Sequence, residues 1–215
     1  MRGYPLTLVG LADSRCLVVG GGRVAARKVT TLVEAGARPV LIARALCAEL
    51  QARAAAGEIE ALRRDYQRGD LAGARLVIAA TDDEAANEAV WQEAREVGCL
   101  VNVVDDPARC NFHVPATVRR GALTVAVATG GNAPALARRI RQELEERFDP
   151  AYEAYLDLLG ELRPAILARV PASERRAAWQ ALLDSDVLDL LRVDATGEAR
   201  EQAHRIVETL AREGA

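Results

Sequence analysis

The sequence contains few of the residues that bind structural metals or build disulfide frameworks. Among 215 residues there are two histidines and four cysteines, and no two cysteines form a CxxC pair. This scarcity argues against both a disulfide-stabilised fold and a zinc site, so we expect no stably bound metal. Cys16 and Cys99 stand beside apolar runs, where a free cysteine packs as a small buried hydrophobe. Such a chain suits a reducing cytoplasm, which is the location we expect.

The sequence also lacks a surplus of basic residues and any long apolar run. Its 28 lysines and arginines are outnumbered by 31 acidic residues, which gives a formal net charge of -3. A general nucleic-acid-binding protein carries a basic surplus, so no nucleic-acid partner is expected. Runs such as LTVAVA and RLVIAA are far too short to cross a bilayer, and the N-terminus shows no signal-peptide pattern. We therefore expect no membrane partner.

Lysine is the scarcest of the charged residues. Lys28 is the only lysine, so the other 27 of the 28 lysines and arginines are arginines. Heavy use of arginine can reflect a genomic habit, and a single arginine is then weak evidence for a binding site. An arginine cluster without acidic neighbours is more informative.

The first half of the chain alternates between apolar strand-like runs and amphipathic helix-like segments. Gly36, Gly57 and Gly98 stand where three of these helices should end. Buried strands that alternate with helices predict a Rossmann-like, doubly wound parallel sheet of the α/β class, covered on both faces. The strand-like runs are RCLVVGG, RPVLIAR, EIEALRR, ARLVIAAT and CLVNVVD.

The pattern changes after Asp105. Two short runs, FHVPATVRR and ALTVAVATGG, predict a hairpin, and NAPALARRIRQELEERF predicts a helix that Asn132 caps. The rest of the chain is typical of helices alone, with a break at Pro164. The sequence therefore predicts three parts: a dinucleotide-binding domain over 1–111, a small α+β segment over 112–148 and a helical C-terminal domain over 149–215.

A glycine-rich turn joins the first strand-like run to the first helix. It has the pattern Gly20-x-Gly22-x-x-Ala25, with Gly21 between the two glycines. In this pattern the first glycine permits a tight turn, the second lets the backbone approach a pyrophosphate, and the small third residue lets helix and strand pack closely. Free N–H groups at the start of the helix favour an anion. The turn therefore predicts a dinucleotide-binding site.

Two further loops, at the same predicted edge of the sheet, carry residues that can contact the nucleotide. The second strand lacks the acidic residue that often binds an adenosine ribose, and Arg44 stands there instead. Arg44 can accept a 2′-phosphate or lie at a solvated strand end, so the choice between NAD and NADP stays open. After the fourth strand, Thr81 and Asp82 can contact the cofactor or cap the next helix. Asn87 can face the cofactor or the solvent.

A carboxylate follows the fifth strand-like run. Asp105 stands directly after it, at the edge of the sheet where cofactors bind, and is placed to accept a proton. Asp106, just before Pro107, is more typical of a turn. His113 lies nearby and either has a structural role or assists the delivery of a metal.

A stretch without acidic residues runs from Pro107 to Arg141 in a chain of net negative charge. This asymmetry favours a site for a polycarboxylate or phosphate, because an arginine matches a carboxylate at two points. The alternative is a solvated basic surface. A second glycine-rich turn in the stretch, at Thr129, Gly130, Gly131 and Asn132, offers backbone amides to another anionic group. The arginines of the stretch are Arg109, Arg119, Arg120, Arg138, Arg139 and Arg141.

Four of these stretches, in their order and spacing, resemble a known family. The family is the precorrin-2 dehydrogenase and sirohydrochlorin ferrochelatase module of siroheme synthases. The part of the chain that carries these motifs runs from about Leu6 to Leu144. The helical tail resembles the family in layout only. The chain lacks the methyltransferase domain of the larger siroheme synthases and so resembles the stand-alone form. The stretches are VVGGGRVAARKVTTLVEAGA, AATDDEAAN, NVVDDPARCNF and PATVRRGALTVAVATGGNAPALARRIR.

The resemblance implies an enzyme. The implied reaction is the NAD-dependent oxidation of precorrin-2, a polycarboxylate tetrapyrrole, to sirohydrochlorin in siroheme biosynthesis. Bifunctional members then insert ferrous iron, whereas others only dehydrogenate, so ferrochelatase activity stays open. The resemblance also implies a homodimer with an interlocked central segment.

The resemblance assigns roles to individual residues. It implies that Asp105 is catalytic. The nucleotide contacts that it implies, beside the glycine loop, are Arg23, Val24, Arg44 and Ala45. Some members carry an acidic residue at the position of Arg23, which keeps the nucleotide preference open. With the patterns above, the predicted cofactor-binding residues are Gly20, Gly21, Gly22, Arg23, Val24, Arg44, Ala45, Thr81 and Asp82. The predicted substrate-binding residues are Arg119, Arg120, Thr129, Gly130, Gly131, Asn132, Arg138 and Arg139.

A non-enzymatic dinucleotide sensor, in which ligand occupancy changes a dimer, is the alternative from another class. It accounts for the glycine-rich turn and for the helical tail. It leaves Asp105 and the arginine-rich stretch unexplained.

Overall fold

The computed structural model of the protein describes residues 3–213. The chain forms two compact units, one up to Val114 and one from Pro115 onward. Each unit has a hydrophobic core of its own. The domain boundaries expected at residues 111 and 148 stay a prediction.

The first unit is a parallel sheet with helices on both faces. Its elements are β1 (Arg15–Val19), α1 (Arg23–Glu34), β2 (Val40–Ile42), α2 (Ala48–Ala55), β3 (Glu60–Leu62), β4 (Ala74–Ala79), α3 (Glu84–Val97) and β5 (Leu100–Val103). The strand order is β3-β2-β1-β4-β5, and every neighbouring pair is parallel. This confirms the predicted Rossmann-like α/β fold.

The central strands are buried on both faces, which explains their continuous apolar sequences. In β1, Cys16 and Val18 pack into one core with α1 and α2, whereas Leu17 and Val19 pack into the other core with α3. Successive side chains of a strand point to opposite faces, so both faces of the sheet need cover. Each fully buried aliphatic side chain of this size contributes about 1.5–3 kcal/mol. Cys16 and Cys99 are buried free cysteines, as predicted.

The three helices of this unit end near glycines, as predicted. Gly98 directly follows α3 with a φ of 74°, in the left-handed region that favours glycine. Gly36 and Gly57 lie shortly after α1 and α2, with φ values of 83° and 75°. These turns return the chain towards the start of the next strand.

A buried carboxylate fixes the connection between β3 and β4. Glu93, on α3, is 4% exposed. It accepts hydrogen bonds from the Tyr66 hydroxyl at 2.6 Å, the Gly69 N–H at 3.0 Å and the Leu71 N–H at 3.1 Å. Burial, with this hydrogen bond, raises the pKa of Tyr66 far above its usual range, so Tyr66 stays a donor. The segment that follows β3 is thus held to α3.

The second unit begins with a hairpin and continues as helices. The hairpin pairs β6 (Ala116–Arg120) with β7 (Leu123–Val127) in antiparallel register. The helices are α4 (Pro134–Arg147), α5 (Ala151–Arg169), α6 (Arg175–Leu183), α7 (Val187–Arg192) and α8 (Thr196–Glu213). The last four share one core, in which Leu158, Ile166 and Leu182 are fully buried. The predicted helical C-terminal part is confirmed.

The predicted break at Pro164 is wrong, because α5 runs through it without interruption. Leu162 and Ile166, on either side, are buried, whereas Pro164 itself is exposed. The proline cannot bond to the carbonyl of Gly160, but Gly160 is exposed and water can solvate that group. Packing on the buried face therefore outweighs the lost hydrogen bond.

The predicted capping of α4 by Asn132 is also wrong. The N-cap residue is Ala133, and no side chain caps the helix from that position. The Ala133 N–H instead donates to the Thr129 hydroxyl at 3.3 Å. Pro134 lies in the first turn, where its missing N–H costs nothing.

No helix within residues 3–213 is both long enough and apolar enough to span a bilayer.

Candidate dinucleotide and catalytic site

The sheet of the first unit changes its direction of growth between β1 and β4, which are neighbours. In doubly wound folds a crevice opens at this point, outside the carboxyl ends of the strands. The loops that follow β1, β2, β4 and β5 all leave the sheet at this edge. They carry the predicted nucleotide-binding and catalytic residues of this unit.

The turn between β1 and α1 approaches both neighbouring loops with its backbone alone. A Cβ on Gly20 would lie 2.1 Å from the Ala80 carbonyl oxygen, and one on Gly21 would lie 1.8 Å from the Ala45 carbonyl oxygen. Gly20 also has a φ of 122°, which other residues rarely adopt. Both positions exclude a side chain whether or not a ligand is bound.

Gly22 differs from these two glycines. Its backbone is extended, with a φ of -87°, and a Cβ there would meet no atom within 4 Å. It precedes α1, whose first turn has no acidic residue and whose start has no side-chain cap. The amides of Arg23 and Val24 are therefore left for an anion, which the helix dipole also favours. This combination fits the pyrophosphate of a dinucleotide.

The loop after β2 is bonded to the glycine turn and carries a paired arginine. The Cys47 N–H donates to the Gly21 carbonyl at 2.8 Å. Arg44 contacts Asp65 twice, from Nε to Oδ1 and from Nη2 to Oδ2, each at 2.5 Å. Ala45 is the residue whose carbonyl lies against Gly21. Arg44 is thus at the predicted strand end, but its charge is matched by a carboxylate.

The N-cap of α3 is Asp83, so the alternative in which Thr81 or Asp82 caps this helix is wrong. The Asp83 carboxylate accepts from the N–H groups of Ala85 at 3.0 Å and Ala86 at 3.1 Å. The Thr81 hydroxyl accepts from the Asp83 N–H at 3.2 Å and shapes the turn before the helix. Asp82 is exposed. Contact of Thr81 and Asp82 with a cofactor stays a prediction.

Asn87 faces the interior and not the solvent. It is 7% exposed, and its Nδ2 donates to the Thr81 carbonyl at 3.1 Å. Its Oδ1 is buried and has no hydrogen-bond partner among the described residues. Asn87 therefore stabilises the turn between β4 and α3 by bonding to its backbone.

Two asparagines fix the chain where it returns along β5, the edge strand. Asn111 accepts from the Val101 N–H at 2.7 Å and donates to the Cys99 carbonyl at 3.0 Å. Asn102, which is 8% exposed, donates to the Phe112 carbonyl at 3.0 Å. An edge strand otherwise leaves backbone groups unpaired. The loop between β5 and Asn111 is therefore anchored at both ends.

This anchored loop carries both aspartates. Asp105 is exposed and has a φ of 62°, a left-handed conformation that aspartate and asparagine tolerate better than most residues. Asp106 caps a short 3-10 turn over Pro107–Arg109, where it accepts from the Ala108 N–H at 3.1 Å. Asp106 is thus a turn residue, as predicted. Of the two aspartates of this loop, Asp105 is the one whose carboxylate stays open.

The only lysine of the chain lies near this loop. Lys28, on α1, is half-buried, and burial lowers the pKa of its ammonium, with a smaller contribution from Arg27. The negative charge of Asp105 opposes that shift. Lys28 therefore stands within electrostatic range of Asp105.

Burial raises the pKa of the Cys110 thiol. The thiol donates to the Asp106 carbonyl at 3.1 Å and so helps to close the loop. His113 is exposed. Within residues 3–213, no group of three or more histidine, cysteine, aspartate or glutamate residues is arranged to hold a metal ion.

Arg109 does not contribute an open positive charge. It pairs with Glu84 at 2.5 Å, Glu88 at 2.9 Å and Asp106 at 3.2 Å. These carboxylates lie outside the acid-free stretch in sequence but surround its first arginine in space. Arg109 thus links the 3-10 turn to α3.

Glutamates of the same helix compensate two arginines of the second unit. Arg139 pairs with Glu143 at 3.1 Å, and Arg141 pairs with Glu145, both with i,i+4 spacing on α4. These acids follow Arg141, so the sequence pattern overstated the positive charge of the stretch.

Three other arginines of this unit differ in their surroundings. Arg120 donates to the Glu145 carbonyl at 3.2 Å and is half-buried. Arg119, on β6, and Arg138, on α4, are exposed, and neither takes part in an ion pair within the described chain. Arg119 and Arg138 are therefore the predicted substrate arginines that are both exposed and outside any ion pair of the described chain.

The second glycine-rich turn lies directly before α4. Gly130 and Gly131 have φ values of 62° and 82°, both left-handed. The Asn132 N–H donates to the Thr129 carbonyl at 3.1 Å. Binding of an anionic group at this turn stays a prediction.

The site also contains residues that sequence reasoning missed. The asparagine inside the run LVNVV was the available signal for Asn102, because an amide in a buried strand needs partners. Asn111 gave no comparable signal. Nothing in the local pattern marked Asp65, which meets Arg44 from 21 positions further along the chain.

Family models match nearly the whole chain. The family described as putative NAD(P)-binding matches residues 8–116, which is about half of the chain. A sirohaem biosynthesis protein central region matches 120–147, and a sirohaem synthase dimerisation region matches 151–206. The first match includes the glycine-rich turn and Asp105. It confirms the predicted nicotinamide dinucleotide cofactor, since the matched family is NAD(P)-binding.

Curated relatives of the chain are siroheme synthases. That of Thioalkalivibrio sulfidiphilus is 42% identical over 200 residues, which cover 93% of this chain and 41% of the relative. Siroheme synthase 1 of Aeromonas salmonicida is 41% identical over 179 residues, which cover 83% of this chain and 38% of the relative. The chain thus spans about two fifths of the length of these relatives.

A solved structure has the same fold. SirC, a precorrin-2 dehydrogenase, matches with a TM-score of 0.77 and 26% sequence identity. The match covers 96% of this chain and 100% of that chain.

We predict that Gly22→Asp separates folding from dinucleotide binding. An aspartate here has an allowed backbone and supplies the missing cap of α1, so the free energy of unfolding should stay unchanged or rise by about a few tenths of a kcal/mol. Its carboxylate would lie beside the pyrophosphate, so NAD affinity should fall by at least about tenfold. Urea unfolding measures the first effect, and calorimetric titration with NAD measures the second.

Gly22→Asn is the matched control, because it caps the helix without adding a charge. It should raise stability similarly and reduce NAD affinity much less. If Gly22→Asp binds NAD as tightly as the parent protein, the pyrophosphate site is not at this turn.

Proposed function

Because this chain belongs to the NAD(P)-binding family and continues into the sirohaem central and dimerisation regions, we propose that it oxidises precorrin-2 to sirohydrochlorin with NAD. The fold it shares with the precorrin-2 dehydrogenase SirC supports this substrate. One observation in the first unit carries the proposal. The uncapped helix start after Gly22 and the open carboxylate of Asp105 both lie at the carboxyl edge of the sheet.

The oxidation removes two hydrogens from the reduced tetrapyrrole. One leaves a ring carbon as a hydride, with its electron pair, and bound NAD supplies the acceptor for it. The other leaves as a proton, and a double bond forms in the macrocycle. The protein must therefore orient both molecules and provide a base for that proton.

Asp105 accepts the proton in this proposal. The asparagines that anchor its loop fix the backbone from which the carboxylate projects, and a general base has to be positioned. Lys28 adds a positive charge within range of the same group. Asp106 is occupied as a cap and as a partner of Arg109, so it is not the base.

The residues that would hold NAD come from three loops of the first unit. The amides after Gly22 suit the pyrophosphate, and the loop after β2 stands where an adenosine ribose binds in this type of fold. The loop after β4 contributes polar groups at the same edge. These residues are Gly20, Gly21, Gly22, Arg23, Val24, Arg44, Ala45, Thr81 and Asp82.

We assign substrate carboxylates to the second unit, at Arg119 and Arg138. Both are exposed, and no ion pair within the described chain uses their charge. A charged hydrogen bond that becomes desolvated contributes roughly 1.5–3 kcal/mol, whereas one that stays in water contributes far less. Amides of the turn from Thr129 to Asn132 would serve a further anionic group.

We further propose that the protein inserts ferrous iron into sirohydrochlorin. Iron enters as a substrate, and the pyrrole N–H protons must leave as it binds. In this proposal the open carboxylate of Asp105 also accepts these protons, so one base would serve both reactions. The siroheme synthases among the relatives support a product that goes on to siroheme.

The functional form is a homodimer in this proposal. The match of residues 151–206 to a sirohaem synthase dimerisation region supports it. The contacts are expected from residues after Asp105.

Asp105→Asn should abolish most of the oxidation without changing the fold. Asparagine tolerates the left-handed backbone and keeps the shape, but it cannot accept the proton. Oxidation of precorrin-2, followed anaerobically by tetrapyrrole absorbance, should slow by about 10²–10⁴-fold. NAD affinity and the free energy of unfolding should be unchanged. The matched control is Asp106→Asn, which keeps a capping side chain and should retain nearly the parent rate.

The same variant tests the shared base when sirohydrochlorin is supplied directly with ferrous iron or cobalt. Metal insertion should fall along with oxidation. If insertion continues at the parent rate while oxidation is lost, Asp105 is not the base for both steps. If the parent protein never exceeds the uncatalysed rate of insertion, the protein is a dehydrogenase only.

Arg119→Ala and Arg138→Ala should each weaken binding of the tetrapyrrole. The expected effect is a rise in KM for precorrin-2 of about tenfold, since each change removes one charged contact. Affinity for NAD should not change. Arg139→Ala is the control, because Arg139 is paired with Glu143, and it should have little effect. If the first two variants keep the parent KM, these arginines are ordinary surface residues.

A further inference from the structure

The positive charge at the end of β2 is already matched by a carboxylate of the chain. Asp65 comes from the segment after β3 and holds two nitrogens of Arg44 at 2.5 Å each. Such side-on pairing is the strong geometry for arginine and carboxylate. Asp83, at the start of α3, adds a weaker negative contribution at Arg44.

Asp65 does not lie on a loose segment. Its neighbour Arg64 binds both carboxylate oxygens of Asp70, at 2.6 and 2.7 Å. Its other neighbour, Tyr66, donates to the buried Glu93 at 2.6 Å. The residues on both sides of Asp65 are therefore tied down, and its carboxylate is presented to Arg44 in a defined position.

Arg44 is also fixed relative to the glycine turn. The preceding residue, Ala43, donates its N–H to the Leu62 carbonyl at 3.2 Å. The following residue, Ala45, has its carbonyl against Gly21. In doubly wound folds this position, just after the second strand, discriminates a ribose hydroxyl from a 2′-phosphate. The pair of Arg44 and Asp65 thus stands where the two dinucleotides differ.

The charge of this pair favours the ribose without a phosphate. Each partner stabilises the charged form of the other: the hydrogen bond to Asp65 raises the pKa of Arg44, and that to Arg44 lowers the pKa of Asp65. A 2′-phosphate carries about -1.5 to -2 charges at neutral pH. It would have to share Arg44 with Asp65 and approach that carboxylate, whereas a neutral hydroxyl meets no such repulsion.

We propose that Asp65 makes the dinucleotide site selective for NAD over NADP by holding Arg44 in a two-point ion pair. The inference rests on the proposed function, because it concerns the cofactor of that site. The second strand of this chain has no acidic residue at its end. The carboxylate that discriminates between NAD and NADP is therefore assigned to the segment after β3.

Calorimetric titration of Asp65→Asn with NAD and with NADP tests the inference. The parent protein should bind NAD more tightly than NADP. Removal of the carboxylate frees Arg44 for a phosphate, so affinity for NADP should rise by about three- to tenfold. Affinity for NAD should change by less than about twofold, since its ribose carries no charge. The ratio of the two dissociation constants should therefore shift towards NADP.

Glu96→Gln is the matched control for the loss of one negative charge. Glu96 is about as exposed as Asp65 and also pairs with an arginine, Arg68, but it lies at the far end of α3 from Asp83. It should leave the ratio unchanged. In an Arg44→Ala background, Asp65→Asn should lose most of its effect, because its partner is gone.

The inference is overturned if Asp65→Asn leaves the ratio at the parent value, or if Glu96→Gln shifts it equally. Precorrin-2 oxidation with NAD would still stand in either case. If the parent protein binds neither dinucleotide, the proposed function and this inference both fail.

Discussion

Three loops of the first unit meet because the turn between them has no room for a side chain. The backbone of Gly20 lies against the Ala80 carbonyl after β4, and that of Gly21 lies against the Ala45 carbonyl after β2. With a methyl group at either position, the neighbouring loop would have to move. The close approach brings the ends of β1, β2 and β4 to one edge and leaves Gly22 as the open position. Every feature assigned to the nucleotide depends on it.

The carboxylate proposed as the base, that of Asp105, depends on a different constraint, at the edge of the sheet. β5 has no further strand beside it, and the side chains of Asn102 and Asn111 bond the returning chain in place of one. The loop between them is short and anchored, so Asp105 is held in a left-handed conformation at the same edge as the glycine turn. Such local strain is common at functional sites and persists only when the surroundings fix it. The asparagines therefore link the packing of the sheet to the chemistry proposed for Asp105.

Local pattern predicted the strands, the glycine turn and the place of Asp105, because these features depend on a few consecutive residues. The cap of α3 at Asp83 was missed, because three successive residues of that loop are good caps and only the backbone decides among them. The break at Pro164 was wrong, since tertiary packing outweighed a local preference. The pairing of Asp65 with Arg44 was beyond the pattern. The pair joins the loop after β2 to the segment after β3. Arg44 alone suggested a site for a phosphate, but the structure shows that its charge is already matched by a carboxylate.

Hydride balance in a single turnover tests the central claim most directly. The protein is loaded with NAD and mixed, without oxygen, with less than one equivalent of precorrin-2, and both products are counted. The account predicts one reduced nicotinamide for each sirohydrochlorin formed, and no sirohydrochlorin when NAD is left out. Sirohydrochlorin that appears without reduced nicotinamide, or precorrin-2 that stays unchanged beside bound NAD, would contradict it.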